Sequence, residues 1–118
     1  MLQTHEFTAG GKKYRLRFSI NALAAMESLR GGEHYLVISR RLSALDVRAM
    51  MCAGLEGARK KGDAFTLEKA GEIIDELGGY SAALKVLLPA YKDSLNPVEE
   101  REEGGGDESE PPLPSSED

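Results

Sequence analysis

The chain has no tryptophan, a single cysteine and few aromatic residues, 6% in all. Each scarcity removes a class of protein. One cysteine, Cys52, cannot form an internal disulfide, so the fold is not a stapled secreted scaffold. No apolar run approaches the roughly 20 residues that cross a bilayer as a helix, and no basic stretch followed by an apolar one opens the sequence. The expectation is a cytoplasmic protein with no membrane association. His5 and His34 are the two histidines, and neither has a second His or Cys at ligand spacing. Zinc sites take about three or four such ligands, so no metal and no cofactor is expected.

Catalytic constellations are missing too. Cys52 falls near the polar edge of its helix and could be partly exposed, but Arg48 is the one positive charge close in sequence to activate it. Glu72, Asp75 and Glu76 are grouped, yet they lie opposite an apolar stripe, where charged residues meet water. Gly57 and Gly62 are spaced as in a phosphate-binding loop, but Asp63 and Ala64 stand where Lys and Ser or Thr are required. These residues point away from an enzyme.

What is present divides in two. Residues 99–118 hold nine acidic residues, one basic residue, three prolines and the run Gly104-Gly105-Gly106, with one leucine and no aromatic or β-branched side chain. That composition cannot bury enough apolar surface to offset the entropy of ordering, so this segment reads as a disordered acidic tail. It carries −8, which leaves residues 1–98 at +3 although the whole chain is −5. The body is a mildly basic domain, long enough for a modest core built from Leu, Ile, Val, Met and Ala.

Hydrophobic periodicity makes that body mainly α, an N-terminal β-hairpin packed on four or five short helices. Gly10-Gly11 is a two-residue turn signal. After it Tyr14, Leu16 and Phe18 alternate with Lys13, Arg15 and Arg17, and such a turn sets Phe7 opposite Tyr14 and His5 opposite Leu16. Ser19 caps a helix from about Ile20 to Arg30, with Ala22, Met26 and Leu29 on one side and Gly31-Gly32 as its stop. From Glu33 to Leu42 a helix is favoured over a strand, on the spacing of Tyr35, Ile38 and Leu42.

Ser43 and Asp46 have capping-box spacing before a helix to about Ala58. Its apolar face is Val47, Met50, Met51, Gly54 and Ala58, with Arg48, Glu56 and Arg59 opposite, and Gly57 to Asp63 follows as a basic loop. Thr66 caps the clearest helix, in which Leu67, Ala70, Gly71, Ile73, Ile74 and Leu77 fill one half of the wheel until Gly78-Gly79. The last helix runs from about Ser81 to Leu95. Its apolar face is Leu84, Leu87, Leu88, Tyr91 and Leu95, with Pro89 on the polar side beside Lys85 and Lys92.

Two basic groups stand out, Lys13, Arg15 and Arg17 on the hairpin, and Arg59-Lys60-Lys61 in the loop. A net +3 is weak for nucleic-acid binding, which draws its affinity from neutralising phosphates. The acidic segment would compete for the same charges, visiting Arg15, Arg17 or the loop and screening the body from self-association. Apolar surface is the stronger lead. Ala83, Val86 and Ala90 widen the arc of the last helix, which could receive a partner helix, and Met26, Met50 and Met51 suit an adaptable contact. The candidate partner-binding residues are Leu84, Leu87, Leu88, Tyr91, Leu95, Met50 and Met51.

The order of elements resembles a known family. Lys13 to Leu23 with Met26-Glu27, Leu42-Ser43 to Gly54-Leu55, Thr66 to Gly79 and Ala82 to Leu88 are similar to the tail assembly chaperones of long-tailed bacteriophages. The resemblance is particularly to the group found in gene transfer agents and related prophages. The Thr66-Leu67-Glu68 cap leading into Ala70-Gly71-Glu72-Ile73-Ile74 is the most telling part of a resemblance over residues 5–95. No individual functional residue carries over. The resemblance implies a non-enzymatic protein that coats the tape measure protein, recruits tail tube subunits, can self-associate, acts in the cytoplasm of the bacterial host and is left out of the finished virion. It also implies that a longer, frameshifted form could arise near Gly104 to Gly106. The alternatives are a structural virion component, such as a tail tube or connector protein, and a small regulatory or nucleic-acid-binding domain.

Overall fold

The computed structural model describes residues 3–95. Its elements are β1 (His5–Ala9), β2 (Lys12–Leu16), α1 (Ile20–Leu29), α2 (Tyr35–Arg41), α3 (Ala44–Ala58), α4 (Leu67–Leu77) and α5 (Tyr80–Leu95). An N-terminal hairpin followed by five helices is thus the architecture. The tail expected from residue 99 onward, and the triple glycine within it, lie outside the described residues.

The hairpin forms where alternation and turn chemistry agree. Gly10 and Gly11 take φ of 58° and 78°, the left-handed pair that a two-residue turn requires. The antiparallel register sets Phe7 opposite Tyr14 and His5 opposite Leu16. The inward face ends in Leu16, wholly buried, and Phe18 just beyond it at 2% exposure. A two-stranded ribbon is marginal alone; this one is stabilised by lying on α3, α4 and the Phe18–Tyr91 edge-to-face pair with α5.

Side-chain caps start four of the five helices. Ser19 accepts from the Ala22 N–H at 3.1 Å, and Thr66 from the Lys69 N–H at 3.1 Å. His34 caps α2 through Nδ1, accepting from the Leu36 N–H. Segment 33–42 is therefore helical over Tyr35–Arg41, as its spacing predicts, and closes with Leu42 in a left-handed conformation. At α3 the capping box is complete, because Asp46 reaches back to the Ser43 N–H while Ser43 accepts from the Asp46 N–H.

Helix α3 is the axis of the molecule. It contacts β2 and all four other helices. Ten of its 15 residues are buried, including Val47, Met50, Met51 and Leu55. Two glycines admit the hairpin to it. A Cβ on Gly54 would fall 2.6 Å from the Phe18 ring, and one on Gly57 would fall 2.0 Å from the Arg17 carbonyl oxygen. That close approach lets the Arg17 N–H donate to the Gly54 carbonyl at 3.0 Å, joining strand edge to helix.

Two expectations change. Leu29 is 37% exposed, and Leu23 replaces it on the buried side of α1. Cys52 is 5% exposed rather than at a wet edge. Arg48 and Glu56 are half-buried on the same side of α3, and the loop residue Phe65 lies over the thiol, which donates to the Phe65 carbonyl.

Candidate functional site

The residues proposed as a partner surface separate into two sets. Met50, Met51 and Leu87 are wholly enclosed and Tyr91 is 3% exposed, so these four build the core. Leu84 and Leu95 are half-buried and pack against it, and Leu88 is half-buried. Ala83 and Ala90, which widen the arc of α5, are buried as well. The apolar breadth of α5 is consumed inside the domain.

The exposed apolar side chains lie elsewhere. Ile20 at the start of α1 is the most exposed at 75% and stands apart; Leu36 and Val37 on α2 are 41% and 47% exposed, Leu45 in the first turn of α3 is 50% exposed, and Tyr80 at the start of α5 is 46% exposed. Their elements meet at Leu42, which links α2 to α3 and whose carbonyl accepts from the Tyr80 hydroxyl. The helical spacing of Tyr35, Ile38 and Leu42 leaves Leu36 and Val37 off the inward face of α2, and nothing in the sequence singles them out as a contact surface.

An ionic knot holds the corner rigid. Asp46 is wholly buried, a costly place for a charge unless every lone pair is engaged. Arg30 Nε donates to it at 2.8 Å and Arg41 Nε at 2.7 Å. The Ser43 N–H and hydroxyl each donate at 2.9 Å. Arg41 also grips Glu33, with Nη1 3.0 Å from Oε2. The hydrogen bond from Arg41 holds the Asp46 carboxyl far below the usual carboxylate range against the opposing effect of burial, and Arg30 and Ser43 add to it. One carboxylate thereby ties the ends of α1 and α2 to the start of α3. The capping-box spacing was visible in the sequence; the convergence of Arg30 and Arg41 on it was not.

The structure also brings together Lys13 and Arg15 of the hairpin and Arg59, Lys60 and Lys61 of the α3–α4 loop, around a groove of about 270 Å³. Arg17 lines a different depression, beside Asn21 and Gly57. Glu56 sets the loop's path: its Oε2 accepts from Arg59 Nε at 2.8 Å and from the Phe65 N–H at 2.6 Å. Burial opposes ionisation there, but those two donors hold Glu56 below the usual range. The Cys52 thiol donates to the Phe65 carbonyl at 3.5 Å, and burial pushes its pKa up.

Among the described residues no cluster of three or more His, Cys, Asp or Glu side chains is placed to hold a metal ion, and no helix is long and apolar enough to cross a membrane. Glu72, Asp75 and Glu76 are exposed on the outer face of α4. His5 Nε2 approaches Asp93 Oδ2 at 2.8 Å without hydrogen-bonding alignment, tying the first strand to the end of α5. No family model matches the chain, and neither a curated protein nor a solved structure matches it.

Proposed function

We propose that this protein is a non-enzymatic tail assembly chaperone of a bacteriophage or prophage. It binds the tape measure protein and tail tube subunits in the cytoplasm of the bacterial host and does not enter the finished particle. The observation that carries this reading is the apolar corner of Leu36, Val37, Leu45 and Tyr80, four large side chains 41–50% exposed on a frame locked by Asp46. Large apolar side chains left in water around one junction of the fold suit a protein contact. A long helical ruler protein displays matching apolar stripes before the tube encloses it, and a rigid corner receives such a helix with little loss of side-chain entropy. The resemblance of residues 5–95 to the chaperone family supports the same reading.

Co-expression with the tape measure protein encoded in the same cluster tests it. The expected result is more tape measure protein in the soluble fraction and co-purification of the two. Val37→Glu with Leu45→Glu should abolish both effects while leaving the thermal transition within a few degrees of the parent, since exposed substitutions change stability by about 0.5 kcal/mol or less. Unchanged solubility with the parent chain, or retention of the complex by the double variant, overturns the proposal.

A further inference from the structure

The groove between β2 and the α3–α4 loop is a built basic site. Lys13 and Arg15 approach it from the hairpin, and Lys60 and Lys61 from the loop some 45 residues later. Among the described residues none of these four cations forms an ion pair, whereas neighbouring Arg59 is held by Glu56 and by the Gly62 carbonyl. The wall is aromatic: Tyr14 stacks on Phe7 at 5.5 Å and meets Phe65 edge-on at 6.4 Å. Four cations without an ion pair around a concave surface on a small body raise the local potential and favour a negatively charged ligand.

We propose that this groove binds an extended acidic peptide, and that its resident occupant is the chain's own segment 99–118. Charge complementarity favours that occupant, since the segment carries −8 against a body of +3. Reach permits it. The last described residue, Leu95, ends α5, and Asp93 on that last turn lies against His5 of the hairpin. Twenty-three residues follow Leu95. At about 3.3 Å each they span well beyond any dimension of the body, whose longest extent is 40 Å. Tethering presents the acidic groups at an effective concentration of about millimolar, so a free acidic peptide or a phosphodiester must displace them to enter. This inference is independent of the proposed chaperone function and concerns a different face.

The test uses the full chain with a nitroxide on Ser109→Cys. Cys52 is shielded from the reagent by its burial. At about 20 mM salt the amide signals of Lys13, Tyr14, Arg15, Lys60 and Lys61 should weaken about two-fold or more against the reduced label, and recover at about 500 mM, where charges are screened within a few ångströms. Lys60→Glu with Lys61→Glu should restore them at low salt. Signals that never weaken, or weakening that survives the double charge reversal, overturns the proposal. Weakening seen when labelled chain is mixed with isotope-enriched unlabelled chain places another copy's segment in the groove and equally overturns it. If the signals ignore the label but shift on adding oligothymidylate, the groove is a phosphodiester site and the assignment to residues 99–118 falls.

Discussion

Helices α3 and α4 lie side by side and are built on opposite terms. Helix α4 buries two of its 11 residues fully, Ala70 and Ile73, and presents a charged outer face to solvent. Helix α3 buries ten of 15, an acidic residue and a glycine among them. A peripheral helix needs one apolar stripe, whereas a central helix must fit neighbours of different size on every side. The helix most obvious in sequence is therefore the outer one, and the helix on which the fold depends has the less regular pattern. Substitutions should separate the two sharply.

The largest effect is expected at Gly57. An alanine there would drive its Cβ to 2.0 Å from the Arg17 carbonyl oxygen and 3.1 Å from the Ala22 Cβ, and neither the Arg17 backbone nor that methyl is a flexible group that can yield. Overpacking of this kind costs about 3 kcal/mol or more, measurable as a lower urea midpoint, even though Gly→Ala ordinarily favours a helix. A midpoint equal to the parent's would show that the hairpin can lift from α3 freely, and the contrast with α4 would lose its basis.

Next comes Asp46→Asn. The substitution leaves Arg30 and Arg41 facing a neutral amide and weakens the capping box. Losing one partner of a buried ion pair costs about 3–5 kcal/mol. Arg30 and Arg41 keep 21% and 38% of their side-chain surface in water, so about 2 kcal/mol is expected here. The pH dependence follows from the same carboxylate. Its folded pKa is depressed, so its contribution is complete above the unfolded value near about 4 and is lost as pH falls below that. Urea midpoints should drop for the parent between about pH 5 and pH 2, and drop less for Asp46→Asn. Parallel pH profiles would show that Asp46 is not the responsible group.

The same contrast explains what could be read in advance. The hairpin register, the caps at Ser19, Ser43 and Thr66, and the stops at Gly31-Gly32 and Gly78-Gly79 are local: each is decided by residues within a few positions, and each is found where expected. Segment 33–42 follows its spacing as a helix for the same reason. What escapes is non-local. Arg30 and Arg41 are 16 and five residues from Asp46, and separately they look like solvated helix ends. Both basic groups were plain in the sequence, but their meeting around Phe65 depends on the turn that Glu56 imposes on the loop. The apolar corner escaped because exposure of Leu36, Val37 and Leu45 is a property of the packed whole, and α5, with the wider arc, was the natural choice.

The smallest effect has the opposite sign and separates the two helices most cleanly. Gly71 lies inside α4, where a Cβ would meet Arg48 Cδ at 3.6 Å, an ordinary van der Waals contact. Nothing there demands glycine's small size, and its backbone entropy costs a helix interior about 0.5–1 kcal/mol relative to alanine. Gly71→Ala should therefore stabilise the protein by about 0.5 kcal/mol. The added methyl also covers part of the shallow depression in which Arg48 lies between Leu67 and Ile74. Arg48 Nε is buried without a hydrogen-bond partner, so a small adjustment of that side chain breaks no bond at Nε. A gain at Gly71 beside a loss at Gly57, for one chemical change in two helices, would locate tight packing on the α3–hairpin side. A loss at both positions would mean that α4 is held as closely as α3 and that its outer, half-covered appearance is misleading.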